Sequence, residues 1–300
     1  MLFRRMLCDI FHVVAGHTEA GLSSNLRANI DAPRIDRLTM PPPNDAPAFS
    51  IEIRLIEFDR KELHVSELLA DLLSEAREQY VWAAIAASES HESIVRLESE
   101  TTQRLAELQG DNAQWIIHEV SRWGGNNEKA IRMIASASPE QKRTYAQLIG
   151  QMLIPGSPEH ALRALTEQPG LGLVMASKIY RFCCPWVGAA VDRHSSYFFN
   201  SLSVDDEADG LRACTRFKRE WANGRRRASR LAIYTDSKRD ANLKEYCATY
   251  LPLLRAIADA LNSQRGGFVC ATSKTRRPWR PADVEMAAYF WWSQRANQYR

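Results

Sequence analysis

The apolar positions of this 300-residue chain recur mostly at helical spacing. From Lys61 nearly to the C-terminus the period is that of one helix face, interrupted by breakers at Gly124-Gly125, Pro139, Pro155-Gly156 with Pro158, and Gly266-Gly267. The pattern predicts helices over 64–88, 90–109, 111–123, 127–137, 139–153, 158–167, 173–184, 191–202, 209–223, 240–263 and 281–298. Residues 49–58, FSIEIRLIEF, alternate apolar and polar in part and predict one short strand. There is no internal repeat and no heptad run. The expected fold class is all-α, a bundle of short helices with at most one or two short strands near the N-terminus.

Residues 1–48 are irregular and end in PPPNDAPA, with Pro41, Pro42, Pro43 and Pro47. They read as an N-terminal arm or linker. Residues 49–300 remain as the helical region, expected to form two helical subdomains around a cleft.

Composition narrows the class. Apolar residues make up 45% and charged residues 25%, as in a soluble globular protein. The net charge is only +3, so the placement of charge matters more than its sum. Cysteines stand at 8, 183, 184, 214, 247 and 270, with no C-x-x-C spacing. They read as reduced thiols of a cytoplasmic protein, without the tight run an iron–sulfur cluster needs. Seven scattered histidines offer no zinc pattern, and no metal or redox cofactor is expected. Asp9 and His12 interrupt the first apolar run, which argues against a signal peptide, and no stretch is apolar enough to cross a membrane.

The informative stretch is 158–202, PEHALRALTEQPGLGLVMASKIYRFCCPWVGAAVDRHSSYFFNSL. It predicts a helix, a tight turn at Pro169-Gly170-Leu171-Gly172, and a second helix. Glycine permits positive φ and close backbone approach. The amides that open the second helix point outward with the positive end of its dipole behind them, which makes a seat for phosphate. Leu171 is expected to plug back between the helices. A purely structural αα-hairpin is the competing account of these residues.

The turn Gln168-Pro169-Gly170-Leu171-Gly172, followed by Val191-Asp192-Arg193-His194, resembles the helix–hairpin–helix DNA glycosylase superfamily, whose members carry L-P-G-x-G, a helix and V-D-x-H at this spacing. The match covers about 45 of the 300 residues and has Gln where Leu is usual. Poorly characterised bacterial members are similar also at Ser177-Lys178-Ile179. The resemblance implies a helix–hairpin–helix that holds double-stranded DNA, and Asp192 as the catalytic carboxylate. Cleaving an N-glycosidic bond puts positive charge on the deoxyribose. A carboxylate beside C1′ stabilises that charge and activates water. At ~4 Å and an effective dielectric of ~20 one such pair is worth ~4 kcal/mol, roughly three decades in rate. An N-cap is the structural account of Asp192, and the two roles are compatible.

Family members that also nick the strand carry a lysine two residues after the second glycine. Here that residue is Val174, which implies a monofunctional enzyme that leaves an abasic site. Lys178, one turn later, is the weaker catalytic candidate, read mainly as a surface or phosphate-contacting lysine. Gly170, Leu171, Gly172, Val174 and His194 are the hairpin-side DNA contacts, with His194 and Arg193 expected to position Asp192 or a phosphate. Asn126 and Asn127, after Gly124-Gly125, are candidates to fill the gap left by a flipped base, against a plain cap reading. Arg212, Arg216, Lys218, Arg219, Arg225, Arg226, Arg227 and Arg230 form a basic stretch, with Arg225–Arg227 a backbone clamp or simply a solvated face. Trp82, Trp115, Trp123 and Tyr180 are candidate walls of a base pocket. Trp291 and Trp292 read as core, and Pro281, Asp283 and Glu285 as signals of helix initiation.

The functional expectation is a monomeric, cytoplasmic DNA glycosylase acting on damaged or modified bases. Repair and antiviral defence against modified phage DNA, such as glucosylated cytosine, remain open. The alternative of another class is a non-catalytic helix–hairpin–helix DNA-binding module.

Overall fold

The computed structural model describes residues 52–57, 61–80, 92–125, 128–156, 158–206, 210–218, 220–221, 231–232, 238–270 and 274–298. All belong to the unit that runs from Ala48 to Arg300. The first unit, Met1–Pro47, holds the predicted N-terminal arm and lies outside the described residues.

The fold is an all-α bundle of short helices. Two antiparallel strands, β1 (Glu52–Glu57) and β2 (Lys61–Val65), precede it, paired in the register Ile53 to Val65. The helices that follow are α1 (Glu67–Gln79), α2 (Glu92–Ala106), α3 (Gly110–Trp123), α4 (Glu128–Ala135), α5 (Pro139–Met152), α6 (Glu159–Thr166), α7 (Leu173–Cys183) and α8 (Arg193–Ser201). Two short strands, β3 (Ser203–Asp206) and β4 (Gly210–Ala213), join β1 and β2 in one sheet of order β2-β1-β3-β4. The two-residue strands β5 (Glu220–Trp221) and β6 (Leu231–Ala232) pair with each other. The last elements are α9 (Arg239–Glu245), a π-helical turn (Tyr246–Tyr250), α10 (Leu251–Arg265), the strand pair β7 (Phe268–Val269) and β8 (Arg276–Arg277), and α11 (Pro281–Gln298).

Local chemistry explains most helix starts. Ser66 caps α1 by accepting from the amide of Leu69. Ser138 and Gln141 form a reciprocal capping box at α5, with Pro139 in the first turn. The predicted 240–263 helix is one run broken by the π turn. Pro252, just inside α10, has no N–H to give the preceding turn, and the wider turn absorbs that missing bond.

Two sequence expectations are corrected. The helix expected from residue 64 begins at Glu67, because 61–65 pair with β1, and it ends at Gln79. Where a helix is expected over 209–223, the described residues form β4, an irregular segment at 214–218 and β5. That segment is held by non-local bonds: the Asn242 side chain receives the Lys218 amide at 2.8 Å and donates to the Lys218 carbonyl at 2.9 Å. Such partners override local helical periodicity. Beyond the two N-terminal strands, β3 to β8 are short additions to the helical frame.

Helix α11 runs through the core. Pro281 to Ala288 are all buried, and it packs on α1, α8 and α10. Asp283 and Glu285 are therefore buried acids on a central helix. Asp283 is paired with Arg77 of α1 at 2.9 Å and Arg280 at 2.8 Å. Arg280 also meets Glu98 of α2, which in turn binds Arg181 of α7 at 2.6 Å. No helix among the described residues is long and apolar enough to cross a membrane.

Candidate active site

The hairpin forms as the glycine–proline spacing predicts. Residues 168–171 make a turn in which the Leu171 amide donates to the Gln168 carbonyl at 3.0 Å. Pro169 takes its second position and Gly170, at φ +80°, its third. Gly170 is also a packing residue: a Cβ there would lie 2.6 Å from Cβ of Ala130 on α4. What approaches this glycine is thus the protein itself. Leu171 is 2% exposed and plugs into the core. With its side chain buried and its amide spent on the turn, Leu171 is corrected from a DNA-contacting residue to a structural one.

Gly172 is the N-cap of α7, and its carbonyl accepts from Met175 and Ala176. The amides of Gly172, Leu173 and Val174 have no acceptor among the described residues. They are the open donors of a helix N-terminus, a kind of end that can receive an anion. Val174 is half-buried against the core.

Asp192 is the N-cap of α8 in a reciprocal box with Ser195. Its Oδ1 accepts the Ser195 amide at 2.9 Å, and the Asp192 amide donates to Ser195 Oγ at 3.0 Å. Oδ2 has no partner among the described residues, and the side chain is only half-buried. The cap fixes the carboxylate without consuming it.

The irregular segment leading to Asp192 is bolted from both sides. Ser177 Oγ on α7 accepts the Val191 amide at 3.0 Å. The hydroxyls of Tyr246 and Tyr250 on the π turn donate to the carbonyls of Ala189 at 2.6 Å and Ala190 at 2.8 Å. Asp192 is thereby held in register with the hairpin helix.

Lys178 is not a free surface lysine, which corrects the expectation. Its Nζ donates to the Gly124 carbonyl at 2.8 Å and lies 5.6 Å from the Trp123 ring centroid. Burial lowers its pKa, opposed by the negative charges of Asp192 and Glu285. His194 accepts from Arg193 Nη2 at 3.0 Å and meets the Tyr289 ring edge-on at 5.3 Å.

Glu285 was missed by sequence reasoning, which saw only a helix-start acid. It is 6% exposed, and no protein group among the described residues hydrogen-bonds its carboxyl. Burial pushes its pKa up to about 8, with Asp192 adding to the rise, while Arg181, Lys178 and Arg77 pull it down. Tyr289, one turn further along α11, is raised to about 12 by burial and by the same two acids. Lys178, Asp192, Glu285 and Tyr289 thus share one charge environment, drawn from α7, the start of α8, and α11.

Other candidates fall away from this cluster or outside the described residues. Asn126, Asn127, Arg225, Arg226, Arg227 and Trp82 lie outside them. Arg216 and Lys218 are exposed. Trp123 and Tyr180 are buried core residues, Trp123 edge-on to Phe182 at 4.9 Å. Trp115 lines an open hollow of about 280 Å³ with Arg104, whose guanidinium lies 3.9 Å over its ring. Trp291 and Trp292 are half-buried, packed on Phe198 and Tyr197. Cys184 beside the hairpin helix is a free thiol raised to about 12 by burial, a poor nucleophile. Among the described residues no group of three or more His, Cys, Asp or Glu is arranged to hold a metal ion.

No family model, no curated protein and no solved structure matches this chain.

Proposed function

We propose that this protein is a monofunctional DNA glycosylase, hydrolysing the N-glycosidic bond of a damaged or modified base flipped out of double-stranded DNA. The observation that carries the reading is the state of Asp192. Its carboxylate is oriented by a capping box, keeps Oδ2 uncommitted, and is tied through Val191 and Ser177 to the helix whose open amides can receive an anion. A phosphate on the Gly172–Val174 amides would register the strand, and Asp192 would face the sugar and its developing charge. Residues of the basic stretch, Arg225–Arg227 among them, would add salt-sensitive backbone contacts. On this reading the protein acts as a cytoplasmic monomer without metal or redox cofactor. Oxidised or alkylated bases would mean repair, and glucosylated cytosine in phage DNA would mean antiviral defence.

The test is base release from a panel of damaged and phage DNAs, read by mass spectrometry, for wild type and Asp192→Asn. The variant is expected to bind DNA and release no base. Salt-sensitive binding with no release by wild type would leave a non-catalytic hairpin module instead.

Lys178 favours one second reading. A buried amine of lowered pKa in the charge environment of Asp192 suits attack on C1′ and Schiff-base formation, so that base release would be followed by strand nicking.

A further inference from the structure

Two acids in one charge environment invite the question of how their roles divide. Asp192 is half-exposed and anchored through one oxygen. Glu285 is nine-tenths buried and anchored through none, yet it keeps a small open surface. The charges of Asp192 at the start of α8, Arg181 and Lys178 on α7, and Arg77 on α1 act on it. The two arginines are already engaged: Arg181 with Glu98 and Arg77 with Asp283. Among the described residues each still has a buried Nη1 without a hydrogen-bond partner, so unspent donors remain on both arginines. Tyr80, Tyr246, Tyr250 and Tyr289 also feel its charge, and each is itself held protonated by burial. The Glu285 side of α11 faces the start of α8, because Tyr289, one turn on, lies edge-on against His194 at 5.3 Å.

Resting on the base-excision reading, we propose that Glu285 is the general acid of this site, protonating the departing base while Asp192 faces the sugar. The C1′–N bond breaks with both electrons passing to the base, and the Glu285 proton goes onto a base ring nitrogen. Water adds to C1′ and its proton passes to Asp192. Transfer of that proton from Asp192 to Glu285 restores both carboxyls, so the net change is addition of one water across the C1′–N bond. Burial keeps Glu285 protonated near neutrality, as an acid of this kind requires. Two carboxyls with their protonation pushed apart by environment divide the work. The same chemistry sorts the substrates. An uncharged base leaves as an anion unless it is protonated, so it needs Glu285. A base already cationic through N-alkylation leaves neutral and does not.

The test uses single-turnover base release from duplexes carrying 8-oxoguanine, uracil, hypoxanthine or glucosylated hydroxymethylcytosine, and from duplexes carrying cationic 7-methylguanine or 3-methyladenine. The expected result is release of at least one uncharged base by wild type, with a rate that falls about tenfold per pH unit above about pH 8. Glu285→Gln is expected to lose at least about a hundredfold on that base and to lose the alkaline limb, with a smaller loss on any cationic base released. Release of cationic bases only, an equal rate in the variant, or a wild-type profile flat to pH 10 would each overturn the general-acid role. The last measurement needs no variant and decides the matter if Glu285→Gln fails to fold. Absence of release from every duplex would instead remove the base-excision reading itself.

Discussion

Lys178 Nζ donates to the Gly124 carbonyl at 2.8 Å, joining the hairpin helix α7 to the end of α3 across 54 residues of sequence. The contact is close on the other side as well. A Cβ on Gly124 would lie 3.0 Å from Lys178 Cδ, 3.0 Å from Met175 Cε and 2.9 Å from the Val120 carbonyl. Gly124→Ala is therefore expected to push the lysine aside and destabilise by about 1–3 kcal/mol, measured by chemical denaturation.

The same lysine decides between hydrolysis alone and hydrolysis with nicking. Its lowered pKa means that more neutral amine is present at a given pH than in a free lysine, and the neutral fraction grows as pH rises. If the nicking reading holds, borohydride traps a covalent adduct on substrate DNA, more at pH 9 than at pH 7, and Lys178→Ala abolishes it. If Lys178 serves only to hold Gly124, wild type forms no adduct and Lys178→Ala alters stability alone.

At Asp192 the cap and the charge are separable. Asparagine can still accept the Ser195 amide, so Asp192→Asn is expected to melt close to wild type while base release disappears. Asp192→Ala loses the cap too, at a further cost of about 1 kcal/mol. Equal base release by wild type and Asp192→Asn would reject Asp192 as the catalytic group.

Asp283 is expected to be the more severe structural site. Burial alone would raise its carboxyl, and Arg280 and Arg77 overcome this to hold it well below the usual carboxylate range. Its contribution to stability is thus complete above the ordinary carboxylate pKa and is lost as pH falls through the depressed folded value. Asp283→Asn leaves the buried Arg77 without its counter-charge and Arg280 with Glu98 alone, and should cost about 3–5 kcal/mol. Urea unfolding at pH 7 measures it.

Glu285 has the opposite sign. Its folded pKa, about 8, lies above the ordinary value, so its contribution is complete below that ordinary value and is lost as pH rises towards 8. Glu285→Gln removes the titration. Relative to wild type, the variant's melting temperature should improve steadily between pH 5 and pH 8. A constant difference across that range would show that the carboxyl does not titrate there.

The features legible in the sequence are those made by neighbours within one turn. Pro169 and Gly170 specify the hairpin turn, Pro139 marks the start of α5, and Asp192 as N-cap marks the start of α8. Each depends on backbone angles and on hydrogen bonds spanning three residues, which residue type largely determines. Gly170 was legible as a glycine with a purpose, but its purpose, packing on Ala130, was not.

By itself, then, the sequence determined a helical bundle, the hairpin with its open amides, and the place of Asp192 in the chain. Only the tertiary structure decided which groups surround that aspartate. Lys178 finds Gly124, Tyr250 holds the Ala190 carbonyl 60 residues away, and Glu285, on a helix near the C-terminus, comes under the charge of Asp192. The same reason accounts for β3 and β4, whose partners lie across a sheet rather than along a helix. An acid in the second turn of a helix has one local meaning, helix initiation. Burial of that helix against three others is what deprives Glu285 of water and shifts its proton. Burial is a property of the packed chain, and no short window of residues encodes it.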